Sequence, residues 1–268
     1  MNVKIETNEN FEFIQSKPEQ IIEKQISLFE TKKNISVELT ERDFEIIQFI
    51  IEMKFASIDD IFKKFFKTKL NSETAKSSAW AKKRLFQLEK GRFIKSIYSF
   101  SESTRFYVGT FKGYYALSQI KSSEFLIKPN LGFDQRTFSH DRKVLNSRLR
   151  LEETKTGSDW QSERKLKSNA LIMRGLTSVY IPDGLYLDIS GNKVAFELEI
   201  AIKSKSRYKD KIKKYLTIMR FEKDEDKLFN KVHYVCEKET LKEYLIKETK
   251  IYGSFFKIET INEFMKQR

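Results

Sequence analysis

The sequence predicts an α+β or α/β protein in two parts, a winged helix-turn-helix followed by an α/β domain with a mixed sheet. Three amphipathic segments, the last stopped by Gly91, precede a pair of aromatic and β-branched runs within residues 92–111. Further on, adjacent apolar runs over 179–202 are followed by a basic amphipathic segment and two more apolar runs, the order of a strand pair, a crossover helix and further strands. Between the parts, residues 122–136 contain Pro129 and Gly132 and keep no period, which sets the boundary. The divisions are a flexible arm over 1–36, a first domain over 37–122 and a second over 137–268.

In the first domain, Thr40 is the expected N-cap of a helix over 40–54, with Asp43 at its third position and Phe44, Ile47, Ile50 and Ile51 on one face. "IDDIFKKFF" forms a second, short helix. Ser72 is the expected cap of a third, "ETAKSSAWAKKRLFQLEKG". "RFIKSIYSF" and "RFYVGTF" flank the polar "SEST" as a hairpin, and "KGYYALSQ" adds a closing helical turn. Three helices and a hairpin in this order predict the winged helix. Ala75, Ser78, Ala81, Leu85 and Leu88 of the third helix point inward, so Lys76, Trp80, Lys83, Arg84 and Gln87 face a DNA major groove. Lys83 or Arg84 would reach base edges, and Ser77, Lys95 and Arg105 complete the DNA-facing set.

Charge points the same way. The 268-residue chain has a net charge of +13, and residues 61–121 hold 14 Lys and Arg against 3 acids, Glu73, Glu89 and Glu102. Cations that neutralise phosphates release counterions, so the expected partner is double-stranded DNA. No apolar run approaches the ~18 residues of a membrane span, and "MNVKIETNENFEF" lacks the apolar core of a signal peptide. A cytoplasmic location with no membrane partner is expected. The single cysteine, Cys236, excludes an internal disulfide, and with only two histidines there is no basis for a zinc site. Cys236 reads as a core filler. No glycine-rich phosphate loop is present. His140, near a helix start, reads as capping or structural, and His233 in "VHYVC" as structural.

The second domain reads as a helix over 139–152, another cap signal opening "SDWQSERKLKS", strands over 179–189 and 194–202, and a basic helix over 206–221. A strand over 232–236, a helix over 240–247 and a strand over 255–258 complete it. Ser190, Gly191 and Asn192 turn the first two strands into a hairpin. Glu197 and Glu199 alternate with Phe196, Leu198 and Ile200, and Asp183 starts the partner strand. Carboxylates brought together repel unless a cation sits between them, and hard oxygen ligands suit Mg²⁺ or Mn²⁺, which can activate water at a phosphate. Alternatively, Glu197 and Glu199 form the solvated outer face of an amphipathic strand. Both readings stay open on the residues alone.

"PDG" followed by "AFELE" resembles the central hairpin of the PD-(D/E)xK nuclease superfamily, which has a restriction-endonuclease-like fold. More narrowly, residues 40–236 are similar to the replication-relaxation family of plasmid proteins. The likeness lies in the order of the winged-helix run, "FSHDRKVLNSRL" with His140, "DWQSERKL" with Trp160 and Glu163, "IPDG", "FELEIAIKS" and "YKDKIKKYL". It implies Asp183 and Glu197 as metal ligands and Glu163 as a supporting carboxylate. Glu199 takes the slot that usually holds a lysine, and Lys203, four residues later, would reach in from the strand end. The resemblance implies a DNA-binding protein of a plasmid or mobile element, acting in replication or mobilisation alongside a relaxase or replication protein. Its second domain would be a metal-dependent DNA nickase or a degenerate, non-catalytic version. The alternative is a transcriptional regulator or antitoxin-like repressor whose second domain serves homodimerisation or partner binding.

Overall fold

A computed structural model of the chain describes residues 37–67, 77–120, 127–169, 180–221 and 227–266. The expected arm over 1–36, the Ser72 cap, Ala75 and Lys76 lie outside them. Helix α1 (Glu41–Glu52) begins at the capping box expected at Thr40, whose backbone N–H and hydroxyl donate to the Asp43 carboxylate at 2.6 and 2.7 Å. Its buried side includes Ile46, Ile47, Phe49, Ile50 and Ile51. Ser57 and Asp60 repeat the device where β1 (Ala56–Ser57) runs into α2 (Ile58–Ile61) and a π-helical turn, Phe62–Phe66. Helix α3 spans Ala79–Lys90 with Ser78 at its N-cap, so it starts later than the expected Ser72 cap placed it. Serine chemistry explains the late start: Ser77 Oγ accepts the Ala79 N–H at 3.2 Å, a local bond that competes with helix.

Strands β2 (Ile94–Ser99) and β3 (Thr104–Gly109) pair antiparallel from Ile94↔Gly109 to Ser99↔Thr104, and β1 pairs with β3 on its other side. Thr110 then caps α4 (Phe111–Ser118), which packs on α1. The long α5 (Gln135–Glu153) starts four residues before its expected position because Asp134 caps it through the Arg136 N–H.

Beyond α5 come β4 (Gly157–Ser162), α6 (Glu163–Ser168), β5 (Gly184–Asp188), β6 (Lys193–Glu199), α7 (Lys205–Phe221), β7 (Lys231–Cys236), α8 (Glu239–Thr249), β8 (Phe256–Thr260) and α9 (Ile261–Lys266). The strands form one sheet in sequence order, antiparallel from β4 to β6 and parallel from β6 to β8. The fold is thus mixed α/β with a mixed sheet. One expectation is corrected here. Ser158 of "SDWQSERKLKS" begins no helix: it lies in β4, and the helix cap is Ser162, whose Oγ accepts the Lys165 N–H at 3.2 Å.

A single apolar cluster runs from α1 through Phe55, Phe106 and Phe138 to Trp160, Phe196 and Val235 of the second sheet. Phe55 stacks on Phe138 at 4.9 Å, and Lys54 with Asp141 and Arg142 with Asp60, each at 2.6 Å, tie the same elements together. A second cluster packs Ala195, Tyr234 and Cys236 against Tyr208, Ile212, Tyr215 and Met219 of α7. Full burial of a large apolar side chain contributes about 1.5–3 kcal/mol. Four such residues fix one face of α7 over the sheet, and that fixes what α7 presents to β6.

Candidate functional site

Strand β6 alternates as expected, but both its faces are covered. Phe196 and Leu198 join the cluster shared with α5, while Glu197 and Glu199 are only 2% and 1% exposed. The solvated outer face is therefore corrected: α7 lies over these carboxylates and supplies their partners. Lys211 places Nζ 2.5 Å from Glu197 Oε2 and 3.6 Å from Glu199 Oε1. Tyr215, one turn on, donates its hydroxyl to Glu197 Oε1. Glu199 Oε2 meets Lys203 Nζ at 2.7 Å and the Tyr208 hydroxyl at 3.5 Å. Tyr208, Lys211 and Tyr215 share a helix face because they are three and four residues apart. Lys211 was visible in the sequence only as one lysine in a basic run, and this spacing was the signal that could have singled it out.

Asp183 Oδ2 accepts the Leu198 N–H at 2.8 Å and stands 3.3 Å from His140 Nε2, which α5 presents. The other ring nitrogen of His140 lies 3.8 Å from Asp141 Oδ1, and Asp141 in turn is held by Lys54 and Thr137. His140 therefore bridges two aspartates and caps no helix. Glu163 directs its carboxylate to Lys167 at 2.5 Å, while its backbone N–H donates to the Asp183 carbonyl at 3.1 Å. Both residues line a small pocket with His140 and Asp141. Glu163 thus joins Asp183 there, whereas Glu197 and Glu199 face α7. His233 is buried between the Tyr186 hydroxyl at 2.9 Å and Glu259 at 2.7 Å, a structural position.

Electrostatics follow from this packing. Burial raises the Glu197 pKa to about 7, Asp183 and Glu199 add to the rise, and Lys211 pulls against it. Burial works against charge on Lys211, but Glu197, Glu199 and Asp183 outweigh it and raise its pKa. Burial likewise opposes charge on His140, yet hydrogen bonds to Asp141 and Asp183 raise its pKa to about 10. Asp183 is lowered because His140 overcomes its desolvation. The three carboxylates are thus met by three cations, Lys211, Lys203 and His140.

Asp183 and Glu197 offer the hard oxygens that Mg²⁺ or Mn²⁺ prefers, and Glu199 Oε1 is buried without a hydrogen-bond donor among the described residues. Both Glu197 oxygens, however, are held by Lys211 and Tyr215. Among the described residues no three His, Cys, Asp or Glu side chains are grouped to hold a metal ion. As arranged, these residues do not fit the divalent ion, since the Lys211 ammonium is the cation beside the carboxylates.

The second candidate surface is α3. Ala81, Leu85 and Leu88 are buried as expected, and Trp80, Lys82, Lys83 and Lys90 are exposed. Lys83 Nζ lies 5.7 Å from the Trp80 ring centre. Arg84 is corrected as a DNA contact. Its Nε donates to Asp43 Oδ1 at 2.7 Å, its Nη2 donates to Asp43 Oδ2 and to the Glu38 carbonyl, and its Nη1 donates to Gln87 at 2.9 Å. It anchors α3 to the start of α1. Lys95 and Arg105 are exposed on the hairpin, and Ser77 is exposed with its Oγ bonded to the start of α3.

No family model, curated protein or solved structure matches the chain. No helix among the described residues is long and apolar enough to cross a membrane.

Proposed function

We propose that the chain is a DNA-binding protein of a plasmid or mobile element, similar to the replication-relaxation family, and that it docks through α3 and the β2–β3 hairpin. One observation carries the reading. The outward face of α3 presents Trp80, Lys82, Lys83 and Lys90 without a carboxylate among them, and Lys95 and Arg105 continue the cationic surface on the hairpin. Glu89, the acid of this helix, turns inward to the Ser96 N–H at 2.8 Å. The order of α1, α2, α3 and the hairpin supports a winged helix with α3 in the recognition position.

The second part supports a nuclease-like domain that does not cleave. Asp183, Glu197 and Glu199 retain the acidic hairpin, but Lys211, Tyr215, Lys203 and His140 neutralise or bond its carboxylates from within. Partners beyond DNA, a relaxase or replication protein among them, would then be reached by docking rather than by chemistry on the strand.

Fluorescence anisotropy with labelled DNA tests the docking surface. Changing Lys82, Lys83 and Lys90 together to Gln should weaken binding at least about ten-fold and reduce the salt slope by about 3, near 1 per phosphate contact. Unchanged affinity and slope would remove α3 as the docking element. Supercoiled plasmid incubated with Mg²⁺ or Mn²⁺ should stay intact. Nicking that disappears in Asp183→Asn would overturn the non-cleaving reading.

A further inference from the structure

We infer that the α3 face takes unpaired bases, so that the preferred ligand is single-stranded or locally opened DNA rather than an intact duplex. The inference rests on the DNA-binding reading above and specifies the form of DNA.

Two large rings stand outward on α3, Trp80 at 73% and Phe86 at 55% exposure. Each has a lysine over it, Lys83 Nζ at 5.7 Å from the Trp80 ring centre and Lys90 Nζ at 4.7 Å from that of Phe86. At about 100° per residue, Trp80, Lys83, Phe86 and Lys90 fall within an arc of about 120°. One stripe therefore alternates π-face and ammonium along the helix. This is the pairing that binds exposed bases, which stack on the ring while the cation meets the backbone phosphate.

Groove readout of a duplex needs different groups. Base edges are read by the polar groups of Arg, Asn and Gln and by lysine on guanine, but Lys83 and Lys90 of this face lie over the Trp80 and Phe86 rings. The arginine of α3 is tied to Asp43 and Glu38, Gln87 Oε1 accepts from that same arginine, and the helix contains no asparagine. What the face leaves free is stacking surface and positive charge. A closed duplex hides the π-faces of its bases, whereas an opened strand offers them.

The hairpin repeats the chemistry. Phe100, at its tip, is 88% exposed and meets Tyr98 edge-to-face at 5.1 Å, while Arg105 stands opposite Tyr98 in the register. A protein partner for Trp80 and Phe86 would be served poorly by the lysines placed over their rings, whereas a polyanion with bases is served by both groups.

The test compares fluorescein-labelled oligo-dT of about 20 nucleotides with a mixed-sequence duplex of the same length, at one salt concentration. Wild type should bind oligo-dT at least about ten-fold more tightly than the duplex, a difference of about 1.4 kcal/mol. Trp80→Ala with Phe86→Ala, both at the surface, should lose that preference with unchanged thermal unfolding. Trp80→Phe keeps a ring and should hold oligo-dT affinity within about three-fold while removing the Trp80 quenching that wild type should show on binding. Equal or tighter duplex binding, or oligo-dT affinity unchanged in the double alanine variant, overturns the inference and leaves the DNA-binding reading standing. Failure to bind either DNA overturns both.

Discussion

Replacing Lys211 by Met removes the cation that lies 2.5 Å from Glu197 and 3.6 Å from Glu199 while nearly preserving side-chain length. Deleting one partner of a buried ion pair costs about 3–5 kcal/mol, because the other charge is left uncompensated in a poorly solvated place. Lys203 still meets Glu199 at 2.7 Å, so Glu197 bears most of the loss. Burial already holds the Glu197 pKa at about 7, above its ordinary 4.5. The folded state therefore keeps an extra proton across that window, and stability declines as pH rises through it. Without Lys211, which pulls the value down, the decline extends to higher pH. The variant should lose about 3–4 kcal/mol at pH 8. At pH 5 the loss should be smaller, by up to about 1.4 kcal/mol, because only the climb of the Glu197 value from about 7 to 8 is felt at pH 8. Urea unfolding followed by circular dichroism at the two pH values measures both losses. Adding Glu197→Gln should recover part of the pH 8 loss. A loss under about 1 kcal/mol, or equal losses at pH 5 and pH 8, would show that Lys211 does not neutralise a buried charge.

Other expectations follow from single contacts. Arg84→Ala should destabilise the fold by about 2–4 kcal/mol in urea unfolding, since buried Asp43 loses its cation; a neutral effect would return Arg84 to the surface set. Gly184→Ala would place a methyl 2.3 Å from the Trp160 ring and should cost about 1–3 kcal/mol, read as a lowered unfolding midpoint. His140 has its pKa raised from 6.5 to about 10, so its stabilisation is fully present below 6.5 and lost as pH rises through about 10. The stability gap between wild type and His140→Gln should close over that window, and a gap constant from pH 6 to 10 would contradict the His140–Asp183 pairing.

Local chemistry was the legible part of this fold. The Thr40–Asp43 box, the turn after Asp188 and the β6 alternation each depend on residues within a few positions, so sequence alone places them. Strand β4 carries no such mark: "GSDWQS" has neither β-branched residues nor regular alternation, and its bulge between Ser158 and Gln161 puts Asp159 at a φ of 50°. Its pairing with β5 makes it a strand. The site was half legible for the same reason. Alternation showed that Glu197 and Glu199 share a face, but only the docking of α7 decided that the face is buried, and Lys211 resembles every other lysine in "KSRYKDKIKK". Arg84 likewise looked free until α1 brought Asp43 beside it.

Lysine acetylation with and without DNA, read residue by residue by mass spectrometry, tests most directly where the chain docks. Among the described residues, α3 with the hairpin is one exposed basic surface and the outer side of α7 is another, where Lys205, Lys209 and Lys213 are exposed. DNA docked on α3 should protect Lys82, Lys83, Lys90 and Lys95 and leave the α7 lysines reactive. Protection of Lys205, Lys209 and Lys213 with unchanged reactivity along α3 would contradict it and move the interface to α7.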